Sequence, residues 1–258
     1  MARLVSISYS PWSLRTRVAL QAMGVPYSTY AYTPMLSEPW LRWRLRRFTG
    51  PVTVPVLLRD DGPPLTDSFD IVRWGSAQAA APLVPAALEG PVRAWNDVAD
   101  TLLAAGRLRT TRRVLTNPDA LRESLPRPLA ALGPLGLAIG RHAARTLLRR
   151  YGTAADDDAA CLHRMTAALD RIEQAIGPIP EPSAASDPPW LLDRRLTYAD
   201  ITVAVGLSFV RPHARHALGP ASRPCWEEPA LSERYAHILT WRDAVMDAVR
   251  ARSVANRA

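Results

Sequence analysis

The chain has 258 residues, 48% of them hydrophobic and 22% charged, the balance of a packed globular protein and not of a disordered one. No fixed-period repeat runs through it, which sets aside a solenoid. The formal charge is +8, but all 32 basic residues are Arg. That bias, with abundant Ala and 24 Pro, reflects codon pressure in a GC-rich genome and predicts a bacterial source. It weakens any nucleic-acid reading of the charge. The 24 acidic residues are spread through the same segments as on a mixed solvated surface, and no zinc motif or stacked aromatics accompany the basic charge. Cys161 and Cys225 are too few and too far apart for a disulfide framework, which fits a reducing compartment. Met1 to Ser10 lacks a signal-peptide core. The apolar stretch Leu129 to Gly140 is interrupted by Gly133-Pro134 and Gly136 and is too short to span a bilayer. A cytoplasmic protein with no nucleic-acid, membrane or metal partner is expected.

Residues 4 to 9 alternate like a half-buried strand. Ser10-Pro11 then opens a helix, Ser being a preferred N-cap and Pro a preferred first helical residue. Leu14, Val18 and Ala22 follow at helical spacing, and Gly24 ends the helix. Tyr27 to Thr33 reads as a second strand, Glu38 to Phe48 as a short basic helix, and Val52 to Leu58 as a strand containing Pro55. A turn at Asp60-Asp61-Gly62-Pro63 leads to a fourth strand at Leu65-Thr66. Asp67 and Ser68 cap a helix to about Gln78. The predicted order β-α-β-α-β-β-α gives a four-stranded mixed sheet flanked by helices over residues 1–80.

The Ala- and Pro-rich segment 79–85 reads as a linker, and residues 86–253 as an all-helical domain. Helices are predicted over Glu89 to Leu115, Leu135 to Tyr151 and Asp156 to Ile176. The last has an apolar stripe of Leu162, Met165, Leu169, Ile172 and Ile176. Thr116 to Pro134, with four prolines, reads as a bent connection, and Gly177 to Pro189 as a Pro-rich loop. A very apolar helix follows over Thr197 to Val210. A final helix turns Leu231, Tyr235, Ile238, Trp241, Val245 and Val249 to one face.

Three short motifs bear on chemistry. Ser10-Pro11-Trp12-Ser13 stands at a strand-to-helix junction, where free N–H groups and the helix dipole favour an anion such as a thiolate. A thiol with an ordinary pKa of about 8.5 ionises more readily there, and the Ser10 hydroxyl can donate to the sulfur. The same dipeptide also serves as a plain helix start. Val54-Pro55 places a residue without an N–H in a strand, which fits an edge strand or a special turn. Asp67-Ser68 opens a helix with side-chain oxygens beside free N–H groups, enough to hold an α-amino-acid head group or simply to cap.

Taken together these motifs resemble the glutathione transferase family. Ser10 to Leu20 is similar to the serine-type transferases (zeta, tau and related bacterial groups). The resemblance implies an α/β thioredoxin-like N-terminal domain over 1–80 and an all-α helical bundle over 86–253 that holds the electrophile pocket. It implies Ser10 as the catalytic hydroxyl and a cis Val54-Pro55 peptide. Asp67 and Ser68 would bind the γ-glutamyl head group, while Trp12, Ser13, Val54 and Pro55 complete the thiol site. Ser13 falls where the second cysteine of a Cys-x-x-Cys motif would stand. Thr197-Tyr198-Ala199-Asp200-Ile201 resembles the family's capping box. Two features depart from the family: the third helix ends in Trp74-Gly75, and among Arg42, Arg44, Arg46 and Arg47 no ligand for the glycine carboxylate aligns.

The implied activity is glutathione-dependent transfer: the protein activates a thiol at a helix N-terminus for attack on an electrophilic small molecule, as in detoxification, and acts as a homodimer. Another low-molecular-weight thiol can take glutathione's place. Alternatives are a non-catalytic binding module of the same fold, a glutathione-dependent isomerase and a secondary-metabolite tailoring enzyme. Ser10 without a neighbouring cysteine argues against thiol-disulfide exchange. Tyr9 either lines the electrophile pocket or packs against the linker, and Trp12 either shields the sulfur or is core. Arg211, His213, Arg215 and His216 form a solvated turn or approach the site.

Overall fold

A computed structural model of the chain describes residues 1–178, 187–214 and 216–256. The core of the predicted 177–189 loop, at 179–186, and Arg215 lie outside the described residues. In chain order the elements are β1 (Arg3–Ser6), α1 (Pro11–Ala22), β2 (Ser28–Ala31), α2 (Glu38–Leu45), β3 (Val56–Leu58) and α3 (Ser68–Ser76), followed by α4 (Glu89–Thr116), α5 (Pro118–Glu123), α6 (Arg127–Ala130), α7 (Pro134–Tyr151), α8 (Asp158–Ile176), α9 (Tyr198–Gly206), α10 (Pro229–Arg234) and α11 (Ala236–Ala255). The expected α/β half followed by helices is what forms. The chain divides into two compact units. One comprises Met1–Asn96, Asp187–Val205 and Ala244–Ala258; the other comprises Asp97–Ser186 and Gly206–Asp243. This partition cuts through α4, α9 and α11 and not at the 79–85 linker.

The sheet order is β2-β1-β3, with β1 parallel to β2 and antiparallel to β3. It has three strands where four were expected. Leu65 exchanges both backbone bonds with Leu57, at 2.8 and 3.0 Å, but forms only an isolated bridge. Pro63 and Pro64 supply no donors on one side, and Asp67 starts the next helix on the other, so no strand has room to extend. The expected alternation along residues 4 to 9 also fails. Leu4, Val5 and Ser6 are all buried, because the central strand is covered on both faces.

In α1 the buried face carries Arg15, Thr16, Ala19, Leu20 and Ala22, whereas Leu14 and Val18 of the predicted stripe are only half-buried. In α8 the stripe runs through Cys161, Met165, Leu169, Ile172 and Ile176, and Leu162 faces outward. The proline-rich 116–134 connection contains the two short helices α5 and α6, each with Pro in its first turn. The predicted last helix is two helices, parted at Tyr235, though all six of its predicted apolar positions are buried.

The first unit holds residues from distant parts of the chain through backbone contacts. Tyr198 N donates to Leu83 O at 2.8 Å. Arg252 Nε and Asn256 Nδ2 both donate to Ala22 O, at 3.0 and 2.7 Å. The acidic half of the capping box forms and reaches beyond the motif to Leu191. Asp200 Oδ2 accepts from Thr197 N at 2.8 Å and Thr197 Oγ1 at 2.9 Å, while Oδ1 accepts from Leu191 N at 2.8 Å. Burial pushes the Asp200 carboxyl above its usual range, against the pull of these bonds. Asp200→Ala would leave three donors without their acceptor, the two of Thr197 buried and that of Leu191 half-buried. It is expected to lower stability by about 2–4 kcal/mol, with Asp200→Asn milder because it keeps a carbonyl oxygen. Urea denaturation of the two variants measures the difference.

Candidate functional site

The loop between β1 and α1 is held from inside α1. Ile7 N donates to Ser13 Oγ at 3.2 Å, and Ser13 is fully buried. Arg17 donates to Ile7 O and Ser8 O, both at 2.8 Å, and its Nη1 lies 3.4 Å from Ser6 Oγ. Burial lowers the Arg17 pKa from its ordinary value. Held in this way, the chain presents Ser10 as the N-cap of α1, in an extended conformation at φ −71° and ψ 124°. Its carbonyl accepts from Leu14 N at 2.8 Å, while its side chain makes no capping bond. With Pro11 at the first helical position, the first-turn N–H groups that remain belong to Trp12 and Ser13. The half-buried Ser10 hydroxyl therefore stands at the positive end of a helix without being used by that helix. Trp12 is half-buried. Burial pushes the neighbouring Tyr9 hydroxyl up.

At α3, Asp67 caps with one oxygen only. Oδ1 accepts from Phe69 N at 2.8 Å and Asp70 N at 3.1 Å. The second carboxylate oxygen takes no part in the cap, and the residue is exposed. Ser68 is 3% exposed, and its Oγ accepts from Arg15 Nη2 at 2.7 Å. A guanidinium can only donate, so Ser68 keeps its own hydrogen for a further acceptor. Arg15 is itself buried. Its Nη1 donates to Thr202 Oγ1 at 3.0 Å, and that hydroxyl lies 3.4 Å from Asn96 Oδ1. One side chain of α1 thus ties the start of α3 to α9 within the first unit. The Arg93 guanidinium covers the Phe69 ring at 4.0 Å, fixing the next residue along.

Val54-Pro55 is cis, as expected. Pro55 is buried, and Val54 packs against the cluster of Val5, Leu41, Val52, Val56 and Leu58. Val5 pairs with Val56, so Pro55 lies one step beyond that pair, at the end of β1 from which the chain enters α1. Gly75, at the unusual Trp74-Gly75 ending, has a packing reason. A Cβ there would stand 2.6 Å from Leu20 Cδ2 and 2.9 Å from Met23 Cε, so glycine lets α3 close on α1.

The structure brings Ser10, Ser13 and Ser68 into one hydrogen-bonded frame through α1. The parts the sequence did not assign are Arg15 and Arg17. Arg15 shares its face with Ala19 and Ala22 at spacings of four and seven. The 211–216 turn belongs to the second unit. There the buried His216 meets Trp226 edge-on at 5.0 Å, and Arg223 donates to the carbonyls of Pro212, His213, Ala214 and His216 at 3.0–3.4 Å.

Residues 9–78 match the sequence model of the glutathione S-transferase N-terminal domain. No curated protein matches the chain. Among solved structures, a glutathione transferase from Phanerochaete chrysosporium shares 16% identity over 100% of this chain and 98% of its own, with a TM-score of 0.57. One from Methylobacterium radiotolerans, in complex with glutathione sulfonate, shares 21% identity over 95% of this chain and 94% of its own, with a TM-score of 0.52. One from Methylobacillus flagellatus, with glutathione bound, shares 17% identity over 95% and 98%, with a TM-score of 0.52. Residues 9–78 thus carry a glutathione S-transferase N-terminal domain, and the chain has the fold of the glutathione transferases it resembles.

Proposed function

We propose that this protein is a glutathione-dependent transferase in which Ser10 activates the bound thiol for attack on an electrophilic small molecule. The observation that carries the reading is the Ser10 hydroxyl, which sits at the N-terminus of α1 and makes no capping bond, in a domain matched by the glutathione S-transferase model. In this reading the sulfur lies against that N-terminus. The helix dipole and the hydroxyl both favour the thiolate over the thiol, and the enzyme gains by orienting an ionised nucleophile. The exposed second oxygen of Asp67 pairs with the γ-glutamyl ammonium. Ser68, with its hydrogen left to donate, accompanies the α3 N–H groups on the carboxylate. Val54, Pro55 and Trp12 complete the thiol site, and the helical domain over 86–253 takes the electrophile. Ser13 has a different part, since it is fully buried inside α1, where its hydroxyl holds the preceding loop through Ile7 N. We further propose a cytoplasmic homodimer that meets through α3 and α4.

Titration calorimetry with glutathione, followed by ultraviolet spectroscopy of the bound thiolate, tests the reading. Ser10→Ala should raise the pKa of the bound thiol and cut turnover, with little change in affinity. Asp67→Ala should weaken binding roughly tenfold to a hundredfold, the loss of one charge-assisted bond. Ser13→Ala should leave the thiol pKa unchanged but lower stability by about 1–2 kcal/mol, because Ile7 N loses its acceptor. Thiol chemistry that survives Ser10→Ala but not Ser13→Ala would assign the hydroxyl to the other serine. If no thiol binds at all, a non-catalytic module replaces the enzyme.

Sedimentation at micromolar concentration tests the assembly. A homodimer is expected, and a monomer there would rule it out.

A further inference from the structure

Four of the nine exposed large hydrophobic residues among the described residues lie between positions 35 and 48: Met35 at 39%, Leu36 at 55%, Trp43 at 64% and Phe48 at 71%. Their exposure follows from how α2 is anchored. Leu41 is fully buried, Trp40 stacks on Tyr30 with ring centroids 4.1 Å apart, and Leu45 packs on the same core cluster. With that face fixed, Trp43 must point outward. Arg46 then turns left-handed at φ 51° and sends Arg47 and Phe48 out with it, both exposed.

Apart from Glu38 and the nearby Asp60, whose carboxyl is lowered by the Met1 ammonium and in part by Arg44, the charge here is of one sign. Glu38 is bonded to Arg42 at 2.7 and 2.9 Å, and no acidic residue lies between Glu38 and Asp60. Arg44, Arg46 and Arg47 are exposed among the apolar side chains, with the Arg44 guanidinium 6.0 Å from the Trp43 ring. The even mixing of charges read along the whole chain does not hold on this segment.

We propose that this surface docks on an anionic lipid membrane, as a peripheral contact. Tryptophan and phenylalanine rings settle at headgroup depth, Met35 and Leu36 enter the acyl boundary, and the three guanidiniums meet lipid phosphates. A second copy of the chain meeting this face with the same face fits poorly, because Glu38 is already bonded to Arg42 and the segment up to Asp60 has no other acidic side chain to meet the partner's arginines. Single-stranded nucleic acid would use the rings and cations but gives Met35 and Leu36 no partner. No helix among the described residues is long and apolar enough to cross a membrane, so the contact is with its surface. This departs from the composition-based expectation of no membrane partner.

The test is co-sedimentation of the full chain with vesicles of phosphatidylcholine alone or mixed with phosphatidylglycerol, at low and high salt. Binding to the mixed vesicles, reduced by salt, is expected. The triple change Arg44→Gln, Arg46→Gln and Arg47→Gln should weaken it about a hundredfold, at roughly fivefold per cation. Trp43→Ser with Phe48→Ser should weaken it too, and leave a residue of binding that salt abolishes entirely. All five positions are exposed, so circular dichroism should show an unchanged fold. Equal binding to neutral vesicles, no vesicle binding, or binding that both variants retain would overturn the proposal. So would an arginine-dependent affinity for a DNA oligonucleotide, or for a second copy of the chain, in place of vesicles.

Discussion

A guanidinium buried in the first unit sets the terms for the helices around it. Taking a cation out of water costs several kcal/mol unless its donors find acceptors. Arg15 finds hydroxyl oxygens on two other elements, Ser68 at 2.7 Å and Thr202 at 3.0 Å. Each bond therefore fixes a distance between parts of the chain far apart in sequence. Shifting α3 along its axis, or turning α1, strips a buried charge of an acceptor. Apolar contact between the same helices is less directional. The approach of α3 to α1, open at Gly75 because it carries no Cβ, is set in register by a charged side chain.

The same bonds set the polarity of the hydroxyls. A guanidinium offers only hydrogens, so Ser68 and Thr202 must both accept from it. Thr202 turns its own hydrogen toward Asn96 Oδ1, 3.4 Å away. Ser68 has no such inward outlet recorded, and its neighbour Asp67 engages the α3 N-terminus with a single oxygen. In the proposed function this orders a donor and an anion side by side at one helix start, the arrangement a zwitterionic α-amino acid needs. Arg17 does the corresponding work for α1. By gripping the carbonyls of Ile7 and Ser8, it holds the loop so that the helix begins at Ser10.

The elements were legible where a local rule decides the outcome. Ser10-Pro11 and Asp67 announce helix starts through capping chemistry, and both helices start there. The helix α8 followed from its apolar period, though Leu162 of that stripe faces outward. Misreadings arose where tertiary burial overrides a local pattern. Residues 5 to 9 alternate in character, yet Leu4, Val5 and Ser6 are all buried, because their strand is central. The apolar stripe of α1 was placed on Leu14 and Val18, because an arginine does not look like a core residue. The real inner face is led by Arg15, and only its acceptors, from residues 68 and 202, make that burial tolerable. Partners so far away in sequence are invisible to a period count. The fourth strand failed for a local reason that was available, two prolines just before Leu65.

Three serines near one helix illustrate why residue type alone does not assign a role. Each hydroxyl has one hydrogen to give and can accept from others, and what the fold has already used determines what remains. Ser13, one turn into α1, is fully buried and spends its oxygen on Ile7 N; its place is in the wall of the loop. Ser68 spends its oxygen on a buried cation and retains a donor beside the α3 N–H groups. Ser10 is only half-buried and commits its carbonyl to the helix but not its side chain. An N-cap serine ordinarily turns its oxygen onto the second or third N–H of its own helix. Where that bond is not made, the hydroxyl keeps its hydrogen for another acceptor at the positive end of the helix. That unspent capacity, more than the Ser-Pro motif itself, sets Ser10 apart from its neighbours.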